Sequence, residues 1–264
     1  MERERTRTTL LLAAAVGVLA GFFSGLFGVG GGIMIVPGLV LVMRMGQRLA
    51  HGTSLAAIIP IAISGVITYA IHDSVDWAVA GLLIAGATGG ALVGTRWLRS
   101  LNQRVLRLLF ATFLVATAVR LLLNLSHPAG RGPLEIWLAL ALVAIGVVSG
   151  VLAGLLGVGG GIVIIPVLVV FFSVPDAVAK GTSLAVIIPT AIVGTFGNIR
   201  HSNADLSVAA IVGLLGAGSA YLGSHVSLHM SARLSSVLFG ILLLLVALRM
   251  YLTREATEER MQEA

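Results

Sequence analysis

Two glycine runs are the first candidates for chemistry: Gly28-Val29-Gly30-Gly31-Gly32 and Gly157-Val158-Gly159-Gly160-Gly161. Each stands before a short apolar segment, so its backbone N–H groups would gather bare at the start of a helix. Amides placed there attract an anion through the helix dipole and through direct hydrogen bonds. The same glycines could instead let helices cross closely, as Gly21 and Gly25, or Gly150 and Gly154, would at their four-residue spacing. Further along each half comes a hydroxyl pair, Gly52-Thr53-Ser54 and Gly181-Thr182-Ser183. Thr and Ser at a helix start are ordinary N-caps. Each pair, however, heads a segment with an internal proline, Pro60 or Pro189, which leaves a carbonyl one turn earlier without its partner. Glycine amides and four hydroxyls together make a donor-rich, acceptor-poor setting that suits a small oxyanion.

Ionisable residues are few. Lys180 is the single lysine among 17 basic residues and directly precedes Gly181. It reads either as a loop residue whose stem lies along apolar surface or as a cation guarding an anion site. His51 is its counterpart and could sense pH from the other side. His72 matches His201, and Asp76 matches Asp205; the two aspartates fall where the fourth helix of each half should be capped. If a proton is moved, His51, His72, His201, Asp76 and Asp205 are the candidates to carry it. His225 and His229 stand four apart on a helix, but no third ligand is near in sequence, and no metal or cofactor is predicted. The chain has no cysteine. Thiol catalysis, disulfides and thiolate metal sites are therefore excluded.

These residues recur because the chain is one unit written twice. Gly28, Gly52 and Pro60 reappear at Gly157, Gly181 and Pro189, a constant offset, and about 20 of the 37 positions from Ser24 to Pro60 match without a gap. Apolar segments are predicted at about Thr9–Phe27, Ile33–Met43, Gly52–Ile71, Trp77–Leu98 and Val105–Leu125. They repeat at Leu134–Leu156, Ile162–Phe172, Gly181–Ile199, Leu206–Leu228 and Leu234–Leu252. The predicted organisation is a first membrane repeat over 1–126, a Pro- and Gly-rich connection over 127–133, a second repeat over 134–253 and a charged tail over 254–264.

With 58% hydrophobic residues and a mean hydropathy of +1.05, the solvent of this chain is a bilayer. The fold class is an all-α integral membrane protein. A net charge of +6 would point to nucleic acid in a soluble protein, but here the arginines lie between apolar runs and set topology instead. Arg3, Arg5 and Arg7 before Leu10 have the shape of a signal peptide; recurrence of that segment in mid-chain argues for a structural helix. The second segment of each unit spans only about 16 Å, half a bilayer, and contains Pro37 or Pro166, so it reads as broken or re-entrant.

Arginine placement sets the orientation. Arg3, Arg5, Arg7, Arg44, Arg48, Arg96, Arg99, Arg104 and Arg107 belong on the cytoplasmic side, while the segment from His72 to Asp76 carries no Lys or Arg and falls outside. Each unit then makes an odd number of net crossings. The repeats are thus inverted, and both termini are cytoplasmic. Loss of Arg44, Arg48, Arg96, Arg99 and Arg107 at Ser173, Ala177, His225, Leu228 and Ser236 fits that inversion. Inverted repeats with broken helices place a substrate between the halves near the midplane.

In the segment from Gly25 to Ile33 with Pro37, Gly52-Thr53-Ser54 and Pro60, and in their copies from Gly154 to Pro189, the chain resembles the sulfite exporter TauE/SafE family of membrane transporters. The resemblance covers nearly the whole chain except the tail after Arg254. It implies an inner-membrane protein of two related halves that moves sulfur-containing anions such as sulfite or organosulfonates. The expected partners are a small anion and the lipid bilayer, with no nucleic acid; the oligomeric state is open. Rival readings are an anion channel, a transporter of an unrelated small anion, a structural subunit, or an intramembrane enzyme using Ser24 or Ser149 with a histidine. The last has little in its favour, since no Gly-x-Ser-x-Gly is present and Ser24 becomes Ala153 in the repeat.

Overall fold

The computed structural model describes the backbone of residues 2–97, 103–123, 135–156 and 160–262, and the side chains of 10–91, 111–123, 135–153 and 160–248. Among the described residues every regular element is helical: α1 (Glu2–Phe27), α2 (Gly32–Pro37) with a π turn over Gly38–Val42, α3 (Gln47–Ile71), α4 (Trp77–Trp97), α5 (Gln103–Leu122), α6 (Ile136–Leu156), α7 (Gly161–Phe171), α8 (Asp176–Arg200), α9 (Leu206–His229) and α10 (Ala232–Gln262). Five stretches within them are long and apolar enough to cross a membrane: Leu10–Phe27, Gln47–Ile71, Ile136–Ala153, Asp176–Arg200 and Leu206–His229. Large apolar side chains such as Leu11, Ile71, Trp77, Trp137 and Leu214 face outward. In water that surface would be a liability; against lipid it is the expected exterior.

The repeat is visible in the backbone. Gly31 and Gly160 precede α2 and α7 in the same left-handed conformation, φ 75° in both. Arg44 and Ser173 take positive φ at equivalent positions, as do Asp73 and Ser202. Both α3 and α8 run for 25 residues around an internal proline. The short segments differ in detail. Past Pro37 the bonding loosens to a π turn in the first half, whereas α7 passes through Pro166 as one α-helix. Either way, 11 residues cover about 16 Å, half the hydrocarbon thickness.

Two boundaries differ from expectation. The third helix of each half begins five residues early, at Gln47 and Asp176. Gln47, Arg48 and His51, and Asp176 and Lys180, interrupt the apolar run, but the helix continues through them, so the end of the apolar run did not mean a loop. Thr53-Ser54 and Thr182-Ser183 are therefore inside their helices, and the N-cap positions belong to Gly46 and Pro175. The connection 127–133 lies outside the described residues, and α10 continues through the predicted tail to Gln262.

Packing runs between the halves. Helix α1 lies against α9 and α6 against α4, while α3 meets α8 and α5 meets α10. Glycine seams make these approaches possible: a methyl group on Gly21 or Gly25 would collide with the backbone of Gly216 or Ala220, and one on Gly146 or Gly150 with that of Leu83 or Ala87. Small residues let helix backbones touch where lipid offers no hydrophobic drive to associate.

Candidate functional site

At the centre, the first glycine run is threaded between α3 and α8. Gly30 has Ile58 on one side and Ile187, the repeat counterpart of Ile58, on the other; a methyl group added to it would lie 3.5 Å and 2.9 Å from them. Gly28, Gly30 and Gly31 all have left-handed φ values of 70°, 86° and 75°. A β-carbon in that conformation costs roughly 1–2 kcal/mol per residue, which is why glycine occupies it. The second run reaches the same place. Ser183 Oγ donates to the Gly28 carbonyl at 3.0 Å, and a methyl on Gly161 would lie 3.0 Å from that carbonyl oxygen. Gly160 and Gly32 are buried beside them. Gly157 and Gly159 lie outside the described residues.

The hydroxyls are engaged with the protein. Thr182 Oγ1 accepts the backbone N–H of Asp76 at 2.9 Å, and Thr53 Oγ1 accepts that of Asp205 at 2.9 Å. Each tie joins the third helix of one half to the fourth helix of the other. Ser54, like Thr53, Thr182 and Ser183, is fully buried. Glycine backbones, hydroxyls and the two proline-bearing helices thus come together from both halves, and an anion there would have to draw the hydroxyls away from their present partners.

The ionisable residues divide. Asp205 caps α9, its Oδ1 accepting from Ser207 and Val208 at 3.0 Å each; Asp76 Oδ1 accepts from Val79 at 3.1 Å. His72 and His201 sit just past α3 and α8 and donate Nδ1–H to the carbonyls of Thr68 and Gly197. His51 is half-buried in the second turn of α3. Lys180 stands apart from all of these, only 1% exposed. Its stem lies on Gly28, where a methyl group would approach its Cα to 2.7 Å. Its Nζ is 2.7 Å from Asp176 Oδ2, 2.9 Å from Ser227 Oγ and in contact with Ser235 Oγ.

Asp176, Ser227, Ser235 and Tyr69 were not singled out in the sequence. The four-residue spacing of Asp176 and Lys180 puts both on one helix face, a signal that exists only because α8 begins at Asp176 and not at Gly181. The structure also brings the His72 ring to 6.2 Å from that of His225, itself 4.4 Å from His229, between centroids. Among the described residues no group of three or more His, Cys, Asp or Glu is arranged to hold a metal ion.

Over residues 1–121 and 142–264 the sequence matches the family described as Sulfite exporter TauE/SafE. The chain belongs to that family. A Bacillus subtilis protein named "Probable membrane transporter protein YunE" is 27% identical over 214 residues, 72% of this chain and 78% of the relative. A "Probable membrane transporter protein" of Xylella fastidiosa is 38% identical over 110 residues, 40% of this chain and 41% of the relative. One of that name from Haemophilus influenzae is 28% identical over 168 residues, 61% and 63% of the two chains. As a TauE/SafE member with five helices long and apolar enough to span among the described residues, the chain is a multi-pass membrane transporter protein.

Proposed function

We propose that this TauE/SafE protein carries a small sulfur-containing anion, such as sulfite or an organosulfonate, across the cell inner membrane. Its two repeats would be inverted, with both termini cytoplasmic. The anion would lie between the halves on the backbone of Gly28–Gly32 and Gly157–Gly161 and the hydroxyls of Thr53, Ser54, Thr182 and Ser183. The observation that carries this reading is the bond from Ser183 to the Gly28 carbonyl beside Gly161. It brings a hydroxyl and two glycine backbones from opposite halves to one buried point, where helix ends and broken segments supply polar groups without water. Pro37, Pro60, Pro166 and Pro189 give the surrounding helices their weak points for rearrangement.

Proteoliposomes test the proposal. Radiolabelled sulfite should enter saturably and be competed by organosulfonates but not by chloride. Alanine at both Thr53 and Thr182 should cut that flux at least tenfold. Unchanged flux in the double variant would remove these hydroxyls from the site, and a steady, non-saturating conductance would make the protein a channel.

A further inference from the structure

Lys180 is the chain's only lysine and is buried in a membrane-spanning helix. An ammonium removed from water is costly even when paired, and a buried ion pair is weak evidence for stability. Ionisable groups kept inside a membrane span are instead associated with ion and substrate movement. This pair is built from several elements. Lys180 contacts Asp176 one turn earlier on α8, Ser227 on α9 and Ser235 on α10, and Ser235 donates to Asp176 Oδ2 at 2.6 Å. Tyr69 of α3 faces Ser227 and donates to the Gly25 carbonyl of α1 at 2.9 Å. Asp176, Lys180 and Tyr69 are the titratable groups in contact here; His225, His229 and Arg233 on the nearby turns of α9 and α10 are exposed.

The sequence of the first half does not repeat these four residues. The repeat-equivalent positions of Asp176, Lys180, Ser227 and Ser235 hold Gln47, His51, Leu98 and Leu106. Helix α3 nonetheless forms over the same 25 residues as α8. A network needed merely to hold the repeat would be required twice.

We propose that Asp176 binds the proton that drives transport, and that Lys180 is a counter-ion shared in turn by Asp176 and the transported anion. This rests on the anion-transport reading above. A buried ammonium is neutralised by one anion at a time. A proton arriving from one aqueous face adds to Asp176 Oδ2 and breaks the pair with Lys180. The ammonium, on a stem that already lies over Gly28, then pairs with the anion. When the anion leaves on the other face, the proton leaves Asp176 to that same face and the ion pair re-forms. One proton and one anion cross together, so a monoanion crosses without net charge.

The test compares wild type with Asp176→Asn in proteoliposomes, using sulfite in two assays: exchange at equal pH, and accumulation driven by a pH gradient. Sulfite itself titrates, so each comparison is made at the same pair of pH values, above a protein-free baseline. Asp176→Asn should keep exchange within about threefold of wild type yet lose gradient-driven accumulation, and Asp176→Glu should restore it. Lys180→Gln should raise KM for exchange at least tenfold. If Asp176→Asn is not recovered folded, Ser235→Ala, which removes one hydrogen bond from each partner, should shift the pH midpoint of driven uptake. Accumulation retained in Asp176→Asn, an unshifted midpoint in Ser235→Ala, or wild-type flux indifferent to the gradient would overturn the coupling and leave anion transport standing. No sulfite or organosulfonate flux in wild type would remove both.

Discussion

Thr182 Oγ1 receives the backbone N–H of Asp76 at 2.9 Å, fastening α8 of the second half to the start of α4 in the first. Thr53 does the same for Asp205 at 2.9 Å. The two ties are one interaction seen twice, with the roles of the halves exchanged. Valine at either threonine keeps the shape but leaves an amide without its acceptor, at a cost of about 1–3 kcal/mol. Thr182→Val and Thr53→Val should therefore lower the thermal midpoint of the detergent-purified protein by similar amounts, and serine should restore it. A clear fall in one variant alone would show that the ties are not equivalent.

Gly28 is held both by its left-handed φ and by the lysine stem lying on it. Alanine there adds the left-handed penalty of roughly 1–2 kcal/mol and pushes against Lys180. Gly28→Ala should lose most sulfite flux. Gly46→Ala is the control, because nothing lies within 4 Å of a β-carbon at that position. Its flux should match wild type.

The glycine seams should tolerate nothing larger. Gly21→Leu and Gly150→Leu force apart α1 from α9 and α6 from α4, and neither should yield a monodisperse protein on size exclusion. Gly218→Leu, on the open side of α9 with nothing within 4 Å, should elute as wild type does.

Topology can be read by single cysteines, since the chain contains none of its own. With a membrane-impermeant maleimide applied to spheroplasts, Asp73→Cys should be labelled, while Gly46→Cys and His201→Cys should react only after lysis. His201 is the repeat counterpart of His72. Labelling of His201→Cys from outside would mean parallel repeats.

Much of the candidate site was legible in the sequence. The doubled glycine runs and Thr-Ser pairs sit at fixed offsets, and a repeat is a property of order along the chain. Capping by Asp76 and Asp205 was legible as well, because an N-cap is a local hydrogen bond. The starts of α3 and α8 were not. Their first turns carry Gln47 and Arg48 or Asp176 among apolar residues, and a charge that interrupts an apolar run does not show whether the helix goes on through it. Asp176 becomes a partner of Lys180 only because both stand on one helix.

By itself the sequence determined the solvent, the helical class, the duplication and the residue types available for an anion, since these follow from composition, periodicity and spacing. Tertiary structure decided which of those residues meet. Ser183 reaches Gly28 because α8 of one half packs on the glycine run of the other, and Lys180 reaches Ser227 and Ser235 because α9 and α10 of its own half fold back to it. Contacts between segments so far apart in the chain are fixed by the complementary surfaces of packed helices, and no local pattern records them.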